Sequence, residues 1–444
     1  VNQKLAAVPG ALALATLALC APAQAQSADA ELAEQVRQLR AELQQVRQEL
    51  DAMKKQAAPV ASTPAAPSWS GSPAPAVVPA PAAAPVAAVA PQANAGLSLF
   101  GYGELSYSRP THDTANSVAN VGRAVLGWGY RFNERTRMAA ELEIENAIAS
   151  SSDSGEAAIE QMYVEHDLNS NLTAKAGLFL MPAGILNESH EPTRYFGVFR
   201  NQVETAIIPT TWRELGVGLQ GTTDQGLRWN TGIVTGFDLT KWDPTSSDGR
   251  DSPLGSIHQE GQLAKARTLA TYLALNYSGI PGFNIGGSVY YGGAGQKQTG
   301  FAAPDATVTL AEAHARWQPG RWDLSALAAR GRFSGVDALN ATFAGQPTPV
   351  PDRFGGWYAQ AAYKVWSAGE QALWPFARYE RLNTAEGYSG LPQGLAPTAQ
   401  PDTRTVTIGA NYYLHPQVVL KADYMRFFDD SSRDRFNLGV GFEF

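Results

Sequence analysis

Cysteine is nearly absent: Cys20 is the single one in 444 residues. From residue 21 onward the chain therefore has no thiol chemistry and no disulfide framework. Histidine is sparse as well, and the six present are scattered, with no HExxH or paired spacing that would hold a metal. Charged residues make up only 17% of the chain, with a net charge of -7, so there is no electrostatic reason to expect nucleic-acid binding. Beyond the first residues no 18-residue apolar run escapes interruption by proline or polar groups, which excludes a transmembrane helix. What remains is either a soluble protein or one that crosses a membrane as strands.

What is present divides the chain into segments. Residues 1–25 carry Lys4, an apolar Ala-Leu core and the small-residue sequence Ala23-Gln24-Ala25. That is the pattern of a secretory signal peptide. Leu19 directly before Cys20 is a poor match to a lipoprotein site. Within residues 26–56, Leu32, Val36, Leu39, Leu43, Val46, Leu50 and Met53 recur at alternating spacings of four and three. The heptad seam predicts a short coiled-coil helix, because a lone helix packed on a domain shows a wider apolar stripe. Residues 57–96 are almost only Ala, Pro, Val and Ser, a semi-rigid linker that cannot form a packed core.

From residue 97 to residue 444 the period is two. Leu97, Leu99, Leu105 and Tyr107 alternate with Ser98, Tyr102, Glu104 and Ser106, and the pattern recurs along the rest of the chain. About sixteen segments of roughly ten residues follow, the length a tilted strand needs to cross a bilayer. Short turns, such as Asn169-Ser170-Asn171 and His415-Pro416, alternate with long polar loops at 182–212, 238–263, 334–353 and 382–402. That alternation predicts an all-β fold, a transmembrane antiparallel β-barrel of about 16 strands with both chain ends on the periplasmic side. One parity of most strands is apolar and the other carries Gly, Gln, Asn, Arg or Glu, so a wet interior is expected. Trp128, Tyr130, Trp229, Tyr277, Trp317, Trp322 and Tyr379 near strand ends suit interfacial girdles.

The stretch 182–212 is too long for an ordinary connection and reads as a functional loop. It follows the fifth strand and carries Glu188, His190, Glu191, Arg194, Arg200 and Glu204. These are the candidate constriction residues, and Arg194 and Arg200 are the leading candidates for solute contact, since an arginine offers an always-charged donor fork. The inward parity supplies candidate pore-wall residues: Arg123, Arg137, Glu141, Glu143, Lys175, Arg228, Lys364, Arg378, Glu380 and Lys421.

The last strand, Arg435–Phe444, places Phe436, Leu438, Val440, Phe442 and Phe444 on one face. It resembles the C-terminal strand of bacterial outer-membrane barrels, a resemblance that makes Phe444 part of an assembly signal. His190-Glu191-Pro192 through Ile208-Pro209-Thr210-Thr211-Trp212-Arg213-Glu214, the segment Pro375-Phe376-Ala377-Arg378-Tyr379-Glu380, and Leu420-Lys421-Ala422-Asp423-Tyr424 resemble the phosphate-selective porin O/P family. The resemblance spans roughly the whole barrel. It implies a sixteen-stranded homotrimeric porin whose loop after the fifth strand narrows the channel. Phosphate-specific members are rich in Lys and Arg along the pore, whereas here the lining is mixed in sign. Phosphate selectivity is not read from it, and an anion- or phosphate-preferring channel is the runner-up that the resemblance implies.

Other signals carry less. Gly216-Val217-Gly218-Leu219-Gln220-Gly221 matches the dinucleotide fingerprint by letter but lies in an alternating strand with no following helix. Asp429, Asp430 and Asp434 read as a solvated loop tip rather than a cation site. The expected function is passive diffusion of small hydrophilic solutes and ions, among them anions, through the outer membrane, with no cofactor and no turnover. The alternative is a structural barrel tethered to the cell wall through its coiled coil, and an outer-membrane enzyme comes third.

Overall fold

The computed structural model of the chain describes residues 96–150, 153, 155–397 and 402–444. The expected signal peptide, coiled coil and nearly all of the linker lie outside the described residues. No helix among the described residues is long and apolar enough to cross a membrane.

Alternation of period two folds as the strands it predicts. They are β1 (Leu97–Pro110), β2 (Val118–Arg131), β3 (Thr136–Glu145), β4 (Ala157–Asn169), β5 (Leu172–Leu180), β6 (Arg213–Thr222), β7 (Leu227–Val234) and β8 (Ala270–Ile280). There follow β9 (Phe283–Gly293), β10 (Thr307–Trp317), β11 (Trp322–Ser334), β12 (Arg353–Tyr363), β13 (Trp366–Ala368), β14 (Gln371–Gly387), β15 (Thr403–His415), β16 (Val418–Phe427) and β17 (Arg435–Glu443). Both β12 and the three-residue β13 pair with β14, so the two are one crossing, broken at Lys364 and Val365. Neighbours pair antiparallel throughout, and β17 returns to β1, closing a sixteen-strand barrel. Closure leaves no unpaired sheet edge.

The outer face is apolar, as in Leu142, Ile144, Met162, Val164, Val217, Leu273, Val289 and Ile408, all exposed. The opposite parity buries Arg123, Glu141, Glu143, Glu165, Asn230, Arg378, Glu380, Asn411 and Asp423. Turns such as Gly282 and Gly320 lie at the end that holds both chain ends of the barrel, and the long connections lie at the other.

The interior is not wet throughout. The connections 235–269, 294–306 and 335–352 fold inward, and Phe237, Leu239, Leu254, Ile257, Ala294, Val336 and Val350 join one buried apolar cluster. It packs on Tyr272, Tyr290, Val308, Leu310, Leu327, Phe333 and Phe354 of β8–β12. That packing fills part of the loop end beside β8–β12, while charged side chains line β1–β5 and β14–β17, with further pairs such as Arg316 and Asp323 on β10 and β11.

The seam shows how the terminal strand is fixed. Phe442 is the register partner of Gly103, and a Cβ built on Gly103 would lie 2.7 Å from the Phe442 ring. Gly101 exchanges both backbone hydrogen bonds with Phe444, at 2.9 and 3.2 Å. The glycines leave room for rings that cover the joint. Gly103→Val should displace the Phe442 ring and destabilise the folded barrel by about 1–3 kcal/mol, the usual cost of overpacking. The measurement is the temperature at which the barrel loses its fast, folded migration on an unheated gel; an unchanged temperature contradicts the seam.

Candidate functional site

The chain between β5 and β6 leaves the wall, crosses the barrel and returns. Its two feet are clamped together: the Met181 N–H donates to the Trp212 carbonyl at 2.9 Å. Asn187 doubles the clamp, donating from Nδ2 to the carbonyls of Met181 and Trp212 and accepting from the Trp212 N–H at 2.8 Å. Trp212 is buried and stacks on Phe237 at 5.5 Å. A single π-type turn at Val203–Ile207 is the loop's only regular element among the described residues.

Within the loop, Glu204 is an organising centre rather than an exposed charge. Its Oε1 accepts from the N–H groups of Ile185 and Leu186, at 2.5 and 2.8 Å. Its Oε2 accepts from Asn201 Nδ2 at 2.7 Å and from the Tyr358 hydroxyl of β12 at 3.0 Å. Gly184 sits at φ +77°, and a Cβ there would lie 2.4 Å from Glu204 Oε1, so only glycine permits this approach. Burial pushes the Glu204 carboxyl above the ordinary range, while the four donors pull it back.

A second anchor holds the loop's first half. β4 carries a bulge: Glu141 pairs with Gln161, but Leu142 pairs with Ile159, leaving Glu160 as the extra residue. The bulge turns Glu160 inward, where it is fully buried beside His190, 2.6 Å from Nε2. The Tyr102 hydroxyl lies 2.8 Å from the same nitrogen and donates to Glu160 at 3.2 Å. His190 Nδ1 faces the Asn187 carbonyl at 2.9 Å, and Arg123 donates to the His190 carbonyl at 3.2 Å.

The second half is laced to β14–β17. Arg378 donates to the Phe196 carbonyl, the Gly197 N–H to Asn411, and the Val198 N–H to Asp423, at 3.1, 3.1 and 2.6 Å. Asn411 donates in turn to the Tyr195 carbonyl, and the Gln202 N–H donates to Glu380 at 2.6 Å. The Tyr195 hydroxyl donates to Glu104 at 2.6 Å. Burial and that carboxylate push the Tyr195 phenol well up, so it stays a donor.

The candidate constriction residues thus take different places. His190 and Glu204 are buried at 4% exposure, inside the anchors. Glu188 pairs with Arg228 at 3.4 Å and Arg194 with Glu443 at 3.1 Å. Glu191 is half-buried, with one carboxylate oxygen lacking a hydrogen-bond partner. Arg200 donates to the hydroxyls of Thr210 and Thr211, at 2.8 and 3.2 Å.

Most of the wall charges are paired. Arg123 meets Glu104 at 2.8 Å and Glu143 at 3.7 Å; Arg137 meets Glu165 and Asp167 at 2.8 Å. Lys175 lies 3.3 Å from Glu165, and Arg378 lies 2.9 Å from Glu380. Glu141 faces inward, buried. Lys364 lies over Trp374 at 5.2 Å, and Lys421 over Tyr195 at 3.5 Å with no hydrogen-bond partner for its amine. Beside the loop, between β1, β2, β16 and β17, opens a vestibule of about 480 Å³. Its lining includes Arg123, Arg200, Lys421, Arg433 and Arg435 against Glu104 and Glu145.

Tyr102, Glu160, Asn187, Tyr358 and Asn411 were not singled out by the sequence. A signal existed for Glu160: outward Ile159 and Met162 stand three apart, so the alternation slips by one residue at this point.

Glu204→Ala leaves two backbone N–H groups and two side-chain donors without an acceptor, at roughly 1–3 kcal/mol each where they stay dry. The loop should loosen while the barrel remains folded, read as faster protease cleavage between residues 183 and 208. Because the folded carboxyl value is raised, this group's stabilisation is complete below the ordinary value and is lost as pH rises through the raised one. Cleavage should therefore quicken with pH after correction for the protease's own profile, and Glu204→Gln should remove that residual slope.

No protein-family model matches the chain. In overall fold it is similar to OmpF of Salmonella typhi in complex with daunomycin, with a TM-score of 0.56 at 13% identity over 79% of this chain and 98% of that one. It is also similar to the outer-membrane channel DcaP of Acinetobacter baumannii, with a TM-score of 0.52 at 14% identity over 80% of this chain and 99% of that one. The structure thus resembles bacterial outer-membrane β-barrels, a likeness of fold. In sequence, an uncharacterized protein of Aquifex aeolicus (strain VF5) is 30% identical over 344 residues, 76% of either chain. The chain belongs to the same family as that Aquifex aeolicus protein, and its barrel is porin-like.

Proposed function

We propose that the protein is an outer-membrane porin through which small hydrophilic solutes and ions diffuse passively. The observation that carries this reading is the loop 182–212, held across a closed barrel by wall side chains and bordered by a polar, charge-lined vestibule. A loop so fixed excludes large solutes by size, and charges in a low-dielectric wall filter the ions that pass. The reading implies neither turnover nor a cofactor. A homotrimer belongs to it on the strength of the sequence resemblance.

A second reading, anion preference within the same function, is favoured by the vestibule. Once Arg123 is paired with Glu104 and Arg433 with Asp429, three lining cations, Arg200, Lys421 and Arg435, remain there against Glu145. Lys421 stands in the vestibule wall over the Tyr195 ring, its amine buried and without a hydrogen-bond partner. Phosphate selectivity is the narrower form of this reading, and it rests on the O/P resemblance.

Planar-bilayer recording tests both. Stable conductance steps are expected, and their absence defeats the porin reading. In a KCl gradient below about 0.1 M, where screening is weak, the reversal potential should show anion preference. Lys421→Gln combined with Arg200→Gln should lower the anion-to-cation permeability ratio by roughly twofold or more. A cation-preferring wild type would eliminate the phosphate form of the proposal.

A further inference from the structure

The outer face, mostly apolar, carries six arginines on five consecutive crossings near the loop end, apart from Arg109 on β1. They are Arg330 and Arg332 on β11, Arg353 on β12, Arg381 on β14, Arg404 on β15 and Arg426 on β16. Register fixes their outward aim. Arg332 is the partner of Arg353, beside Phe354, which is fully buried inward. Arg381 is the partner of both Arg404 and Trp357, and Trp357 is 42% exposed. Arg426 stands between Met425 and Phe427, both buried inward. Outer positions near the loop ends of β3–β9 are uncharged: Ile144, Ile159, Leu215, Ile233, Thr271 and Tyr291.

Two directly opposed arginine pairs on one sheet face, Arg332 with Arg353 and Arg381 with Arg404, repel each other. The protein supplies part of the counter-charge. Glu386 pairs with Arg330 at 2.7 Å, and Asp402 accepts from Arg381 Nε at 2.7 Å. Arg332, Arg353 and Arg404 form no salt bridge among the described residues. Trp357 stands level with Arg381 and packs on Tyr379 one outward position below, ring centroids 5.4 Å apart, and below them lies the apolar belt. An anion that satisfies these forks would thus have hydrocarbon directly beneath it.

We propose that this face binds the phosphate groups of an anionic lipid in the outer leaflet, whose acyl chains lie along the apolar belt. Guanidinium forks take phosphate oxygens two at a time, and clustered basic residues beside an apolar surface are the general signature of acidic headgroup binding. Continuity with the apolar belt selects a lipid over free phosphate. The inference rests on the placement of the barrel in the outer membrane and is independent of conduction.

The test titrates the full chain in zwitterionic detergent with a bis-phosphorylated, acylated diglucosamine lipid and counts bound lipid by native mass spectrometry. Wild type should retain it, bind the dephosphorylated lipid far more weakly, and keep it against excess inorganic phosphate. The variant R332Q/R353Q/R381Q/R404Q, checked for folding by unheated gel migration, should lose at least about tenfold in affinity. Should that variant fail to fold, R332Q/R353Q and R381Q/R404Q made separately should each lose about threefold or more, and the corresponding Arg→Lys pairs should retain most binding. Undiminished binding by the glutamine variants, or equal binding of the dephosphorylated lipid, overturns the proposal. So does displacement by inorganic phosphate, which would mark a free-anion site. A change in oligomer mass without a change in lipid retention would mark a subunit contact and also overturn it.

Discussion

An irregular segment inside a barrel must have its backbone polar groups satisfied there, or it cannot stay. Much of this interior follows from that constraint. Between Tyr195 and Gln202, main-chain groups meet Asn411, Arg378, Asp423 and Glu380 in turn. Glu204 performs the same service at the other end, collecting the N–H groups of Ile185 and Leu186. The polar inner wall therefore has two populations. One holds the loop, and the other faces the open space beside it.

The division changes how the wall charges are to be weighed. Arg378 and Glu380 are each within 3% of full burial and paired with one another, so they contribute little field to the open space. Arg137 with Glu165 and Asp167, and Arg123 with Glu104, are similarly compensated. A count of inward charges gives a mixed lining, but paired charges largely cancel at a distance. The unpaired ones decide the potential, and in a low-dielectric wall each acts strongly.

The strands were legible because a half-buried strand has only one way to present an apolar face, and the period of two survives in nearly every crossing. The loop after the fifth strand was legible by elimination, since 182–212 supports neither period. Partner choice was not. Asn411 and Asp423 are inward polar residues like their neighbours, and nothing in their spacing says that they bind the loop. Glu204 resembled a constriction charge because burial cannot be read from a loop without period. The 235–269 connection misled by its polarity, although Phe237, Leu239, Trp242, Leu254 and Ile257 within it are too apolar for a solvated loop.

The inward folding of that connection gives the interior its asymmetry. Apolar packing of three connections against β8–β12 occupies one side of the loop end, and the charge-lined vestibule opens on the side bounded by β1, β2, β16 and β17. There Arg200 projects from the loop, while Lys421, Arg433 and Arg435 come from the wall and its rim. A wider, symmetric barrel would dilute these cations in bulk water. Gathering them in one vestibule beside an apolar plug reduces the screening that water provides, so the few uncompensated charges set the potential there.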